Sequence, residues 1–418
     1  MKKVDAVIIG GGSAGLSAAV TLKKQGIEDI LVIEKDGEPG GILEQCIHNG
    51  FGLQTFKEQL SGPAYAERYA DMAKKLNVKI LLNTMVTNLT ADRIVEYVNA
   101  EEGCVQIQAG AVILAVGCYE RPRGGINITG TRPTGIFTAG QAQRYLNIDG
   151  YMVGKRVFIL GSGDIGLIMA RRMTLEGAEV IGVAVLMPYS NGLPRNMKQC
   201  LEDFNIPLML SHTVSKVFGK ERLERIEVVE VDENRNPIPG SEQYFDVDTL
   251  LLSCGLIPEN HLAEHAGIVL NPATKGPVVD DRYMTSAEGI FACGNGLHVH
   301  DLVDFVSLQA ERAAEGAAAY LKNGKPLGST LQIKNGNQVS YCVPSQFYPD
   351  DPAEKLTVYF RVRTPLDAGT LVIRSGGQII RKVKKRKLLP SVMEEAVLLG
   401  KQMNGLTDDI TVEITGEE

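Results

Sequence analysis

The chain opens on an apolar run over residues 4–9 that does not alternate, as expected of a strand buried on both faces of a parallel sheet. Gly10-Gly11-Gly12-Ser13-Ala14-Gly15 follows, and then an Ala- and Leu-rich stretch to Gln25 with apolar positions at helical spacing. Residues 29–34 read as a second strand ending in an acid. The same order of strand, glycine turn, helix and strand recurs about 150 residues downstream. There a strand over 157–160 meets Gly161-Ser162-Gly163-Asp164-Ile165-Gly166, followed by a helix over 167–176 and a strand over 180–186. Two more apolar runs, 111–117 and 289–295, reach glycines. Beyond Gly324 the texture changes to short alternating segments over 332–340, 356–363, 370–374 and 378–383, bounded by Gly, Pro, Asn and Asp, which predict a small mainly β domain. Within it, 390–403 has helical spacing and 410–414 reads as a last strand.

Composition narrows the class. The 418 residues are enough for about three domains. With 43 basic and 50 acidic residues the net charge is −7, so no global field draws the chain to nucleic acid or anionic lipid. No two of the seven cysteines (Cys46, Cys104, Cys118, Cys200, Cys254, Cys293 and Cys342) have the two-residue gap of a redox dithiol or a zinc knuckle, and no metal site is expected. The first apolar run is broken by Gly10 to Gly12, leaving no stretch for a signal or membrane helix. The expectation is a cytoplasmic, reduced protein with no membrane span.

The glycines carry the chemistry. In a strand-turn-helix unit, Gly10 makes the tight turn, Gly12 leaves room for a pyrophosphate against the backbone, and Gly15 lets the helix pack closely on the strand. The helix start offers free amide hydrogens and a partial positive charge to a phosphate. Glu34 lies 19 residues beyond Gly15, where an acid accepts hydrogen bonds from an adenosine ribose. Two such units predict two bound dinucleotides.

With the 111–117 and 289–295 strands added, the chain from Val4 to about Leu321 resembles the two-dinucleotide-domain flavoproteins of the pyridine nucleotide-disulfide reductase superfamily. The resemblance implies an α/β fold of two Rossmann-like three-layer dinucleotide-binding domains, one inserted in the other, plus a small β-rich C-terminal domain. It implies an FAD domain over 1–121 and 257–325, an NAD(P) domain over 122–256, and the C-terminal domain over 326–418. FAD contacts are then expected from Gly10, Gly12, Ser13, Ala14, Gly15, Glu34, Lys35, Gly41, Val86, Ala115, Gly117, Gly294, Asn295, Gln309 and Ala310. Asn295 stands where the family usually has an aspartate on the ribitol chain, and keeps an acceptor without the charge. A helix beginning near Gln309 and Ala310 would aim its N-terminus at the flavin N1/O2 edge. NAD or NADP would be held by Gly161, Gly163, Asp164, Ile165, Gly166 and Gly255. Which of the two is left open, because the strand after the second fingerprint ends Val183-Ala184-Val185-Leu186 without a carboxylate; Arg171, Arg172 and Arg195 are the candidate phosphate partners.

The family's first cysteine pair would fall at Leu43 and His48, so disulfide reduction is not expected. Cys46, His48 and His300 are the candidate catalytic residues; the competing reading of Cys46 is a small buried hydrophobe. His298, His300, Asp301 and Asp304 form the richest polar cluster, and the bland reading has Asp304 or Ser307 capping the following helix. The stretches 45–52, 196–204 and 298–304 resemble a subgroup that includes the oxidoreductase partnering glycerol-3-phosphate dehydrogenase-like flavoproteins and, more distantly, flavoprotein subunits of opine oxidase and hydrogen cyanide synthase. That resemblance implies electron transfer between NAD(P)(H) and a partner flavoprotein or small acceptor in a hetero-oligomer, with any iron-sulfur or electron-carrier centre in another subunit. A nucleotide-loaded structural or relay subunit is the alternative. Six cations in seven residues from Arg381 to Lys387 read as a solvated strand edge or as a docking site for an acidic partner.

Overall fold

A computed structural model describes residues 1–416. Its contacts divide the chain into two compact units, one made of Met1–Cys118 together with the chain from Pro258 on, the other of Tyr119–Ile257.

The first unit is built on a sheet in the order Lys79–Leu81, Ile30–Ile33, Lys2–Ile9, Gly103–Leu114, Ile94–Asn99, Met85–Leu89. The strands Lys79–Leu81, Ile30–Ile33, Lys2–Ile9 and Gly103–Leu114 run parallel. The twelve-residue strand Gly103–Leu114 does double duty. Its first half pairs antiparallel with Ile94–Asn99, while Val112, Ile113 and Leu114 pair with Ile290–Ala292, which brings a strand from late in the chain to the C-terminal edge of the sheet. Ala6, Val7 and Ile8 are fully buried, as a strand covered on both faces requires. The helix Val303–Asn323 turns a face of small residues inward, including Ala310, Ala313, Ala314 and Ala317. Ser17 of the helix Ser13–Lys24 donates to Ser307 O at 3.0 Å, and Tyr65 of the helix Gly62–Lys75 donates to Ser307 Oγ at 2.8 Å.

The second unit has a five-stranded parallel sheet in the order Ile136–Thr138, Thr249–Leu252, Arg156–Leu160, Glu179–Val185, Leu208–Leu210, and a four-stranded sheet that includes the hairpin His212–Gly219 and Leu223–Glu230.

From Leu331 on the chain forms a five-stranded and a three-stranded sheet around its own apolar core, yet it groups with the first unit. The expected single strand over 332–340 is two, Leu331–Asn335 and Val339–Val343, with Gln338 between them at φ 60°. The helix expected over 390–403 is corrected: Glu394–Leu399 is a strand, and only Gly400–Met403 makes a helical turn. Pairing of Thr357 with Val397 and of Tyr359 with Glu395 on the strand Lys355–Val362 overrides the local spacing. The basic run lies on Gln378–Leu388, the edge of the five-stranded sheet, with Lys382, Lys384, Arg386 and Lys387 exposed. No helix among the described residues is long and apolar enough to cross a membrane.

Candidate functional site: two dinucleotide cradles

In the first unit the strand Lys2–Ile9 ends at Gly10, whose φ of 108° and closeness to Ala115 exclude a side chain: a Cβ would fall on the Ala115 carbonyl oxygen. A Cβ on Gly15 would fall on the Gly10 carbonyl and come within 3.3 Å of Ile8 Cγ2, so helix and strand are packed backbone to backbone. Gly12 differs. A Cβ there would meet nothing nearer than 3.9 Å, so the space it faces is open. Gly12 is the N-cap of Ser13–Lys24, no side chain caps that helix, and its first turn holds no acid, so the positive end of the dipole is left for an anion.

Glu34, 5% exposed, closes one side of the cradle. Its Oε2 accepts Gly11 N–H at 2.6 Å and its Oε1 accepts Asp36 N–H at 2.9 Å, which fixes a carboxylate beside the turn with lone pairs to spare. Gly41 lies against the turn, and Gly40 N–H donates to Gly11 O at 2.9 Å. Ala115 N–H donates to Ile9 O, and Gly117 has φ 74°. Lys35 is exposed, and Val86 is buried in the apolar core.

Gly294 and Asn295 follow the strand Ile290–Ala292. Gly294 N–H donates to Gln309 Oε1 at 2.9 Å, which fixes the carboxamide. His300 Nε2 must then donate to the same oxygen at 3.0 Å, and Gln309 Nε2 donates to His298 Nε2 at 2.7 Å. Each imidazole therefore has a set tautomer, and the Nδ1 atoms of both are buried without a partner among the described residues. Burial, with the neighbouring His300 and Arg361, holds His298 well below the usual imidazole range, and burial lowers His300 to about 4. Both shifts favour the neutral rings. Asn295 Oδ1 accepts His300 N–H at 3.0 Å, which fixes the amide and leaves its N–H₂ and the second lone pair of Oδ1 for a ligand.

The helix start differs from the expected one. The helix begins at Val303, so Gln309 and Ala310 lie in its second turn, both fully buried, and Gln309 turns inward to the histidines. Neither Asp304 nor Ser307 caps it. Asp304, 2% exposed, accepts Gly52 N–H at 3.1 Å, Gln54 N–H at 3.0 Å and Thr55 N–H at 2.8 Å, tying a loop some 250 residues earlier to this helix. The sequence offered no signal for that tether beyond an acid in a polar cluster.

Cys46 is half-buried. Its thiol donates to Ile42 O at 3.2 Å, burial pushes its pKa up to about 12, and a Cβ on Gly62 would lie 2.7 Å from Cys46 Cβ. His48 packs against Phe51 with ring centroids 4.9 Å apart, its Nδ1 3.3 Å from Asn49 O.

The second unit repeats the cradle. A Cβ on Gly161, φ 105°, would fall on Ser253 O; one on Gly166 would lie 2.6 Å from Gly161 O; one on Gly163 would meet only Ser253 Oγ at 3.5 Å. Gly163 is the uncapped N-cap of the helix Asp164–Leu175, and Ile165 lies in its first turn. Asp164 is spent on a neighbouring segment: its Oδ1 accepts Leu193 N–H at 2.9 Å and Asn196 Nδ2 at 2.7 Å. Gly255 has φ 96° and open space around its Cα. Arg172 is paired with Glu176 at 2.7 Å, whereas Arg171 and Arg195 are exposed. Ser253, the floor of this turn, escaped the sequence reading because its role is a backbone contact.

The resemblances agree with the geometry. The chain is 25% identical over 350 residues to an opine oxidase subunit from Agrobacterium tumefaciens, covering 79% of this chain and 68% of that one. It is 25% identical over 358 residues to an NADH oxidase of Methanocaldococcus jannaschii, covering 82% and 71%. In fold it is similar to the thioredoxin reductase of T. acidophilum, with a TM-score of 0.62 and 23% identity over 76% of this chain and 99% of that one. The family model for pyridine nucleotide-disulphide oxidoreductases matches residues 4–315, a span that takes in both glycine turns and the Gly294-Asn295 strand end. With two uncapped helix starts behind glycine turns, each on its own parallel sheet, the chain belongs to the pyridine nucleotide-disulphide oxidoreductase family of FAD-dependent, NAD(P)-linked oxidoreductases.

Proposed function

We propose that the first unit holds FAD, that the second holds NAD or NADP, and that the chain passes electrons between the nicotinamide and a partner flavoprotein or small acceptor as one member of a glycerol-3-phosphate dehydrogenase-like complex. The observation that carries this reading is the pair of open, uncapped cradles at Gly12 and Gly163, combined with a half-buried Cys46 that has no second cysteine within four residues. Bound FAD supplies a two-electron sink for hydride. The protein's part is binding and alignment. The amides after Gly12 would hold a diphosphate, Glu34 would accept from the adenosine ribose, and Asn295 would offer its amide to the ribityl phosphate arm. Burial favours the neutral form of both histidines behind Asn295, and their hydrogen bonds to Gln309 make them positioning groups for the Gly294-Asn295 strand end. The opine oxidase relative is by its name one subunit of an enzyme, which supports an acceptor on another chain.

Anaerobic mixing of the purified protein with NADH or NADPH tests the reading. Absorbance near 450 nm should bleach on a catalytic timescale. Gly12→Val should purify without flavin, while Gly163→Val should keep its flavin and lose the bleaching. A wild-type flavin that stays oxidised with both nucleotides would favour a relay role without nicotinamide turnover.

A further inference from the structure

The segment from His298 to Asp301 is fastened on two sides. On one side, His300 N–H donates to Asn295 Oδ1 at 3.0 Å, and His300 Nε2 shares Gln309 Oε1 with Gly294 N–H. On the other, Arg361 of the strand Lys355–Val362 donates Nη2 to Val299 O at 3.1 Å and to Asp301 Oδ1 at 2.5 Å. Asp301 Oδ2 accepts Met393 N–H at 2.6 Å. Arg361 is held in turn: its Nε donates to the Tyr341 hydroxyl at 3.2 Å and its Nη1 to Pro390 O at 3.4 Å. The Tyr359 ring lies 5.5 Å from His298 and 5.6 Å from His300. Tyr341, Tyr359, Arg361, Pro390 and Met393 all belong to the C-terminal sheets or the loop that joins them, and none belongs to the cradle.

We propose that the C-terminal sheets act as a clamp on the FAD cradle, with Arg361 as the positioning residue that holds the Gly294-Asn295 strand end in place through Val299, Asp301 and His300. The inference deepens the FAD reading and rests on it. Three facts give it physical content. The Arg361 and Asp301 side chains are 16% and 18% exposed, so their charge-assisted bonds are largely shielded from water. Arg361 Nη2 alone bonds the Val299 carbonyl and the Asp301 carboxylate, while Nε and Nη1 of the same rigid plane are held by Tyr341 and Pro390, a bridge between segment and sheets that the single ammonium nitrogen of lysine cannot reproduce. The bond chain from Arg361 to Asn295 runs through the backbone amide of His300 rather than through a flexible side chain, so a shift of the segment moves the Asn295 acceptor's partner directly. Loss of the guanidinium leaves Asp301 and the Val299 carbonyl without their cation and frees the segment to move.

Arg361→Gln is the test, with Arg374→Gln as its counterpart. Arg374 pairs with Glu413 at 2.7 Å inside the same C-terminal sheets and makes no bond to residues 298–301. Arg361→Gln should release FAD at least about tenfold faster than wild type. In the FAD-free protein it should also speed hydrogen exchange at the Gly294 and His300 amides. Arg374→Gln should change neither. Wild-type release and exchange rates in Arg361→Gln, or equal loosening by Arg374→Gln, would overturn the clamp. Should Arg361→Gln fail to fold, Tyr341→Phe removes only the hydroxyl that holds Nε; faster release supports the clamp and an unchanged rate refutes it. Wild-type protein that takes up no FAD would sink the cofactor reading instead, and exchange in the FAD-free protein would still report on the segment.

Discussion

Asp304 offers the sharpest stability prediction. Its carboxylate accepts three backbone amides from residues 52–55, and the three donors differ in exposure: Gly52 is buried, Thr55 half-buried and Gln54 exposed. In Asp304→Asn the amide oxygen stays with Gln54 and Thr55, which share Oδ1, and the new N–H₂ faces Gly52 N–H, donor against donor. One unmet buried donor costs about 1–3 kcal/mol. Asp304→Ala leaves the same Gly52 amide unmet and also forfeits the other two bonds at about 0.5–1.5 kcal/mol each, since those amides can be rehydrated; the total is roughly 2–6 kcal/mol. At 1.4 kcal/mol per factor of ten, hydrogen exchange over residues 52–55 should rise about tenfold in the asparagine variant and about a hundredfold or more in the alanine variant. Exchange read by mass spectrometry on peptides covering this loop, in protein without added nucleotide, measures both. Wild-type protection in the alanine variant, or equal rates in the two variants, would refute the view that this carboxylate is what ties the loop to the helix Val303–Asn323.

Two further outcomes follow from the buried titratable groups. Burial, and for Asp280 the neighbouring Asp281, pushes the carboxyl of Asp280 up to about 7, and burial pushes that of Asp281 to about 6, both above the unfolded value near 4. The folded chain therefore binds protons that the unfolded chain releases, and the stabilising contribution, complete below about pH 4, is lost as pH rises through these values. Asp280→Asn with Asp281→Asn should gain stability over wild type progressively between pH 4 and 8 in urea unfolding; an offset independent of pH would contradict the shifts. Iodoacetamide at pH 8 should modify Cys104, which is exposed, and spare Cys46, whose thiol stays protonated; equal labelling of the two would show a thiolate where the structure has none.

The two cradles were legible because everything that defines them is local. Gly10, Gly12 and Gly15 lie within six residues of one another, and the strand before them and the helix after them announce themselves by apolar period alone. Glu34 was legible for the same reason, at a fixed spacing set by one helix and one strand. Residues 390–403 misled because their helical spacing competes with a partner strand 40 residues away, and pairing decided. The partner of Asn295 was not legible, because only the fold brings the His300 amide to its Oδ1.

What the sequence determined by itself, then, is the pair of strand-turn-helix units, the identity of the glycines that cannot carry a side chain, and the absence of a closely spaced dithiol. The tertiary structure alone decided that Gln309 faces the histidines, that Asp304 reaches a loop 249 residues away at its nearest donor, and that Arg361 grips the segment behind Gly294-Asn295. The division has one cause. Backbone turns and periodic burial are set by neighbours within a few residues, whereas a buried polar group must be satisfied by whatever the fold brings to it, and that partner can come from anywhere in the chain.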